Sequence, residues 1–319
     1  MDTTKLIRIS SITKKLLVGL FGSFLLVFLL FHMTANLFIL AKDGGDAYSA
    51  FCHFMGSNIF IKVFEIALFA CFVLHAALSV WLWFCNKRNR PVGYHKPSRT
   101  KTAKGSKLAI ISGSLLLVCL FFHFYDFYFV KTKMVKSTYM VKIEDLYKGE
   151  NGNELYTLEQ QLQMYQKSPE DVLETFNEAM ASGEKIDADQ QHIFDLLNAM
   201  SIIGKATIDS RLSKDMKWLR QISAEERETI EKAINNVEFE PDFYNIAHQK
   251  FSIWHIVLCY LIFFIVVGFH IRHGFESAFQ TFGLNHYKYS RIVEVLGIIY
   301  CWIICLGFAI VPIGVFLGL

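Results

Sequence analysis

Five long apolar runs, at about residues 16–40, 59–84, 108–130, 251–271 and 292–317, set the terms on which this chain can fold. Each is near or above the roughly 20 residues a helix needs to cross a hydrocarbon core about 30 Å thick. With 53% of residues hydrophobic and only 19% charged, an ordinary soluble domain with a polar surface is excluded. The expected fold class is an all-α integral membrane protein built as a bundle of five transmembrane helices. Lys5, Arg8, Lys14 and Lys15 precede the first run as they would a signal peptide. The run is too long for a signal core and no small-residue cleavage site follows it, so it is expected to be the first helix.

Basic residues orient the bundle. The loop between helices two and three carries Lys87, Arg88, Arg90, Lys96, Arg99, Lys101, Lys104 and Lys107 with no acidic residue, whereas the loop after helix one sets Lys42 against Asp43 and Asp46. Positive loops stay in the cytoplasm, which puts the amino terminus inside and the carboxy terminus outside. Arg272, Lys288 and Arg291, between helices four and five, agree.

One segment breaks the pattern. Residues 132–250 hold 14 basic against 22 acidic residues, while the rest of the chain holds 18 against 7. Such a shift marks a separate unit, so the chain divides into helices one to three (1–131), an extracytoplasmic insert (132–250) and helices four and five (251–319). The insert is expected to be helical. Ser168-Pro169-Glu170-Asp171 and Ser223-Ala224-Glu225-Glu226 are capping signatures, each followed by apolar residues at helical spacing. It has neither a repeat nor a catalytic motif, and His192 and His248 read as exposed or locally bonded. Joined to the outer ends of helices three and four, it is expected to cap the outer mouth of the bundle or to offer a docking surface.

Chemistry enters through histidine. His32, His75, His123 and His270 fall one to a helix, in four of the five apolar runs. An ionisable side chain in hydrocarbon costs a few kcal/mol unless it faces the bundle interior with a partner, so four of them argue for function. Depth assigns the partners. His32 lies 17 residues after Lys15 and His123 lies 16 after Lys107, on helices that run outward; at about 1.5 Å per residue both sit about 25 Å from the cytoplasmic side. His75, 17 after Asn58, and His270, 18 after Ser252, reach a similar depth from the opposite face. His32 and His123 therefore share an outer level, His75 and His270 an inner one.

Two bis-imidazole iron sites suit that arrangement. Neutral imidazoles are good axial haem ligands, and an iron with both axial positions filled favours electron transfer over oxygen chemistry. Covalent attachment is excluded, because the chain has no C-x-x-C-H. Its seven cysteines lie mostly in or beside the helices and imply no disulfide framework.

At this point the chain resembles a known family. The stretches His32-Met-Thr-Ala-Asn36-Leu37, Leu74-His75 with the basic exit Asn86-Lys-Arg-Asn-Arg90-Pro91, His123-Phe-Tyr-Asp-Phe127, and Gly268-Phe-His270-Ile-Arg-His273-Gly274 continuing to Gly283 are similar to the di-haem cytochrome b anchor of succinate:quinone oxidoreductases. The likeness is to the single-chain, five-helix type found with succinate dehydrogenases and fumarate reductases of menaquinone-using bacteria, and it covers all five helices. It implies a multi-pass subunit of the bacterial cytoplasmic membrane with no succinate chemistry of its own. A flavoprotein and an iron–sulfur protein would dock on the cytoplasmic face, two haem b groups would be held, and a quinone, expected to be menaquinone, would react near the distal haem. The family assigns His75 and His270 to the proximal haem and His32 and His123 to the distal one. The long insert departs from the family pattern. Lipid is an expected partner, nucleic acid is not, and the complex is open to oligomerisation.

Further residues join the candidate list. Glu65, seven residues into helix two and ten before His75, can face the bundle near the outer level, where a buried carboxylate could exchange protons with a quinone. Asp126, three residues after His123, is the rival proton carrier. Arg272 is a candidate partner for haem propionates, since a guanidinium matches a carboxylate. Asn36 is expected to bond a neighbouring helix. His273 is the alternative to His270 as ligand, disfavoured by its place at the basic exit and by the family's spacing. His53, His95 and His286 read as solvated loop residues and His255 as interfacial. Two other readings stand beside the family one: a di-haem anchor of a hydrogenase or formate dehydrogenase, and a histidine-lined transporter.

Overall fold

The computed structural model describes residues 10–89, 102–209, 218–284, 286 and 288–319. Lys5, Arg8, Arg90, Lys96, Arg99, Lys101 and His95 lie outside the described residues. The chain is mostly helical, and among the described residues five helices are long and apolar enough to cross a membrane: Ser11–Leu40, Ile59–Asn89, Leu108–Lys131, Trp254–Thr281 and Ser290–Leu317.

Local chemistry explains where they begin, bend and stop. The first opens on Ser10, whose hydroxyl accepts the Thr13 amide at 3.1 Å, the standard satisfaction of an orphan helix N–H. The third is α-helical to His123 and then widens into one π-helical turn, Phe124–Tyr128, a feature that clusters at functional positions. The fourth outruns its apolar stretch by ten residues, reaching Thr281 rather than Ile271. Arg272, His273 and Glu276 end the hydrophobic run without interrupting the backbone ladder, and the stop comes only at Gly283, whose φ of 74° is left-handed. His273 is thus an interior helical residue, not one at the helix exit.

Two compact units divide the chain: Met1–Leu40, Ala50–His123 and His248–Leu319 in one, Ala41–Ser49 and Phe124–Ala247 in the other. In the first, the fourth helix packs against the fifth, first and third, and the first also packs on the second. Met33, Val267, Ile271 and Ile304 form its buried core. Small residues bring the helices together, as expected where no hydrophobic force distinguishes protein from lipid. Gly297 faces the Phe275 ring and Gly307 the Met33 side chain. The thiols of Cys301 and Cys305 donate to the carbonyls of Gly268 (3.4 Å) and Phe264 (3.3 Å), and all seven cysteines are unbridged. Outward-facing Phe60, Ile66 and Val27 are 80%, 71% and 71% exposed, an apolar exterior suited to lipid.

The second unit is not purely helical, and here the sequence expectation is corrected. Both capping boxes form, Ser168 with Asp171 and Ser223 with Glu226. Beside the helices lies a three-stranded antiparallel sheet in the order β2-β1-β3: β1 is Tyr139–Lys142, β2 Trp218–Ile222 and β3 Phe239–Pro241. Strands of three to five residues are too short for alternation to register as a pattern. Val141 pairs with Leu219 on one side and Phe239 on the other, and its side chain is fully buried with Leu146, Leu155, Ile222 and Ile230.

Segment Ala41–Ser49, grouped by sequence with the membrane helices, clusters with this unit. The Arg220 guanidinium on β2, its side chain 8% exposed, donates to the Gly44 carbonyl at 2.5 Å and to the Asp46 carboxylate at 2.8 Å. Gly45, at φ 93°, lies so close to the Tyr244 ring that no side chain fits there. Asp242, fully buried, accepts the Asn245 amide at 3.2 Å at the start of helix Phe243–Phe251, and burial pushes its carboxyl above the ordinary aspartate range.

Candidate functional site

Two histidine pairs lie within the first unit. His32 and His123 have ring centres 5.9 Å apart with planes crossed at 75°; His75 and His270 are 6.3 Å apart and crossed at 80°. These are the partners that depth along the helices assigns to one another. All four side chains are half-buried.

The polar settings of the second pair fix its chemistry. His75 Nδ1 lies 3.1 Å from the Val18 carbonyl on the first helix. A carbonyl only accepts, so Nδ1 carries the proton and Nε2 presents its lone pair. His270 Nδ1 lies 3.2 Å from Ser112 Oγ, and that hydroxyl is 3.2 Å from the Ala109 carbonyl. With Ser112 donating to Ala109, its oxygen accepts from Nδ1 and again leaves Nε2 free to bind. Orienting bonds of this kind accompany most metal-ligating imidazoles.

Aromatic rings surround the first pair. Phe28, one turn before His32, stacks on it at 5.3 Å, and Phe308 from the fifth helix approaches at 5.7 Å. Tyr260 and Phe263 of the fourth helix flank His123 at 6.3 and 6.5 Å. Asn36, expected to bond a neighbouring helix, donates instead to the His32 carbonyl of its own helix at 2.7 Å and lies 3.4 Å from Nδ1.

These separations can be tested against what a metal between the rings requires. With metal–nitrogen bonds of about 2.0 Å and about 1.1 Å from nitrogen to ring centre, two imidazoles on opposite sides of one ion have centres about 6 Å apart. A direct hydrogen bond of about 2.9 Å would draw them to about 5 Å. Both pairs match the first figure. Glycines give the second pair room: a Cβ on Gly22 would come within 3.0 Å of His75 Cε1, and one on Gly113 within 3.3 Å of His270 Cε1. Among the described residues no group of three or more His, Cys, Asp or Glu side chains could hold a metal ion. The histidines come in two pairs.

The same contacts measure the interval between the levels. Gly22, at the His75 ring, is ten residues from His32; Gly113, at the His270 ring, is ten from His123; Tyr260, at the His123 ring, is ten from His270. Ten residues rise about 15 Å. Three helices thus give one value.

The remaining candidates are more scattered. Glu65 is half-buried in the second helix, with the ten-residue offset from His75 that Tyr260 has from His270. Asp126 is half-buried within the π turn. Arg272 is exposed and two residues beyond His270, about 200° around the helix, so it does not share that histidine's face. His273, half-buried at the third residue on, does. His255 is exposed beside Trp254, and His192 is bonded to Glu154. Sequence reasoning missed Ser112, Val18, Tyr260 and the two glycines. The repeated Gly-x9-His spacing of the first and third helices was the signal available for the glycines.

Compared with known proteins, the chain matches no family model, no curated protein and no solved structure. A functional reading therefore rests on its own residues.

Proposed function

We propose that this protein is the membrane-anchor and electron-transfer subunit of a succinate dehydrogenase or fumarate reductase, linking an iron–sulfur partner to a quinone through two b-type haems. The observation that carries the reading is the pair of histidine couples, 5.9 and 6.3 Å between ring centres, on two levels of one apolar bundle. A haem with both axial positions filled supplies one-electron transfer and offers no open coordination site.

The chain's own residues do the rest. His75 and His270 would hold the inner haem, oriented by the Val18 carbonyl and the Ser112 hydroxyl. His32 and His123 would hold the outer one, flanked by Phe28, Phe308, Tyr260 and Phe263. Quinone, menaquinone in this reading, would react beside the outer pair. Glu65 is the favoured group for exchanging its protons and Asp126 the alternative. The basic loop between the second and third helices would face the cytoplasm and receive the flavoprotein and iron–sulfur subunits. The unit containing residues 124–247 would serve as a cap or a docking surface.

Purification under mild detergent tests the assignment. A flavoprotein and an iron–sulfur protein should co-purify in equal amounts with the chain, together with succinate-dependent quinone reduction. Co-purification of a hydrogenase or a formate dehydrogenase instead would overturn it.

A further inference from the structure

The two histidine pairs reach similar crossing angles by different means. His75 and His270 each turn the Nδ1–Cε1 edge of the ring toward the backbone of another helix. For His75 that edge is bracketed by the Val18 carbonyl, 3.1 Å from Nδ1, and Gly22, where a Cβ would lie 3.0 Å from Cε1 and 3.3 Å from Nδ1. For His270 it is bracketed by Ser112 Oγ at 3.2 Å and Gly113, where a Cβ would lie 3.3 Å from Cε1 and 3.7 Å from Nδ1. The hydrogen bond fixes one ring atom, and the glycine lets the next ring atom rest on the helix. Together they leave each ring one orientation about its Cβ–Cγ bond, and the two orientations stand 80° apart. His32, by contrast, is stacked on Phe28 with planes only 13° apart, so an aromatic face sets its plane.

We propose that Gly22 and Gly113 are positioning residues that hold the imidazole planes of His75 and His270 crossed, and so set the electronic character of the iron those histidines would bind. The inference rests on the haem reading above. Its physical basis is that each axial imidazole raises the energy of the one iron d orbital that overlaps its filled π orbital. Crossed planes raise two orbitals equally and leave them nearly degenerate, whereas parallel planes split them. Near-degeneracy leaves orbital angular momentum in the low-spin ferric state, which shows as a strongly anisotropic electron paramagnetic resonance signal. A methyl group at Gly22 would press on Cε1 and turn the His75 ring out of its seat. One at Gly113 has slightly more room and would turn His270 less.

The test is low-temperature resonance spectroscopy of the oxidised full complex, with haem content measured beside it. The parent should hold two haems per chain and give two strongly anisotropic low-spin signals, one of which vanishes in His75→Ala. In Gly22→Ala that same signal should move toward the less anisotropic form while its partner stays in place and haem content stays at two. Gly113→Ala should move the same signal by a smaller amount. Gly19→Ala, whose Cβ would make ordinary contact with Thr281 at 3.4 Å, should move neither. If Gly22→Ala fails to accumulate, Gly113→Ala reads the same signal. Unchanged signals in the glycine variants that accumulate, or an equal shift in Gly19→Ala, would overturn the proposal. A parent without haem would overturn the haem reading itself, and that result is visible before any variant is made.

Discussion

The His75–His270 pair bonds to polar atoms of the first and third helices, whereas aromatic rings flank the His32–His123 pair, where Asn36, on the same helix as His32, lies 3.4 Å from His32 Nδ1. Val18 offers a carbonyl and Ser112 a hydroxyl to the one, while Phe28, Phe308, Tyr260 and Phe263 enclose the other. Two histidine pairs, about 15 Å apart along the same helices, thus have different neighbours. Polar seating fixes the tautomer and the direction of a ligand. Aromatic stacking sets the plane of a ring, as Phe28 does for His32.

The largest expected effect breaks the pairs apart. His32→Ala and His123→Ala should each remove the same haem, and His75→Ala and His270→Ala the other, because a haem left with one axial bond is poorly held. Haem-specific difference spectra decide it. Depletion of one common species by His32→Ala and His75→Ala would show that the pairs are wrongly drawn.

Glu65→Gln sharpens the functional side of the comparison. It keeps size and hydrogen bonding but removes the carboxyl group, so quinone-linked turnover should fall about 10-fold or more with both haems retained, general acid–base groups being worth roughly 10²-fold or more. Unaltered turnover would pass the role to Asp126.

Ser112→Ala tests the polar seat directly. Loss of an orienting partner typically weakens metal holding by about 10-fold or more. Haem should therefore transfer faster to an excess of apo-globin from the His75–His270 pair alone. Equal rates from both pairs would erase the distinction between them.

The smallest effect on the haems should come from the second unit. Arg220→Ala removes the clasp on Gly44 and Asp46 and should cost that unit about 1.5–3 kcal/mol, the range for hydrogen bonds to charged groups. Hydrogen exchange in Ala41–Ser49 should accelerate while both haem spectra stay unchanged. The same spectral silence is expected when Val141 to Glu240 are replaced by a short linker, since all four histidines lie in the other unit.

Sequence made the bundle legible because lipid imposes a length and a polarity that few other environments do. The four histidines were legible for the same reason, each being costly where it stands. Their orienting groups were not. A backbone carbonyl such as that of Val18 leaves no trace in residue identity, and Ser112 is an ordinary helix serine until His270 is placed beside it. Arg272, two residues after His270, is exposed and lies about 200° around the helix from it. In the second unit the capping boxes were local and readable, whereas β1 and β3 exist only through pairing across about 100 residues.

On the reading proposed above, each histidine pair would hold one iron. A dithionite-reduced minus oxidised spectrum of the purified protein, with total haem extracted as the pyridine complex, decides it. Two non-covalent b-type haems per chain are expected, both low-spin and bis-imidazole. A chain correctly inserted and produced with ample haem that binds none, or binds one bridging both pairs, would contradict it.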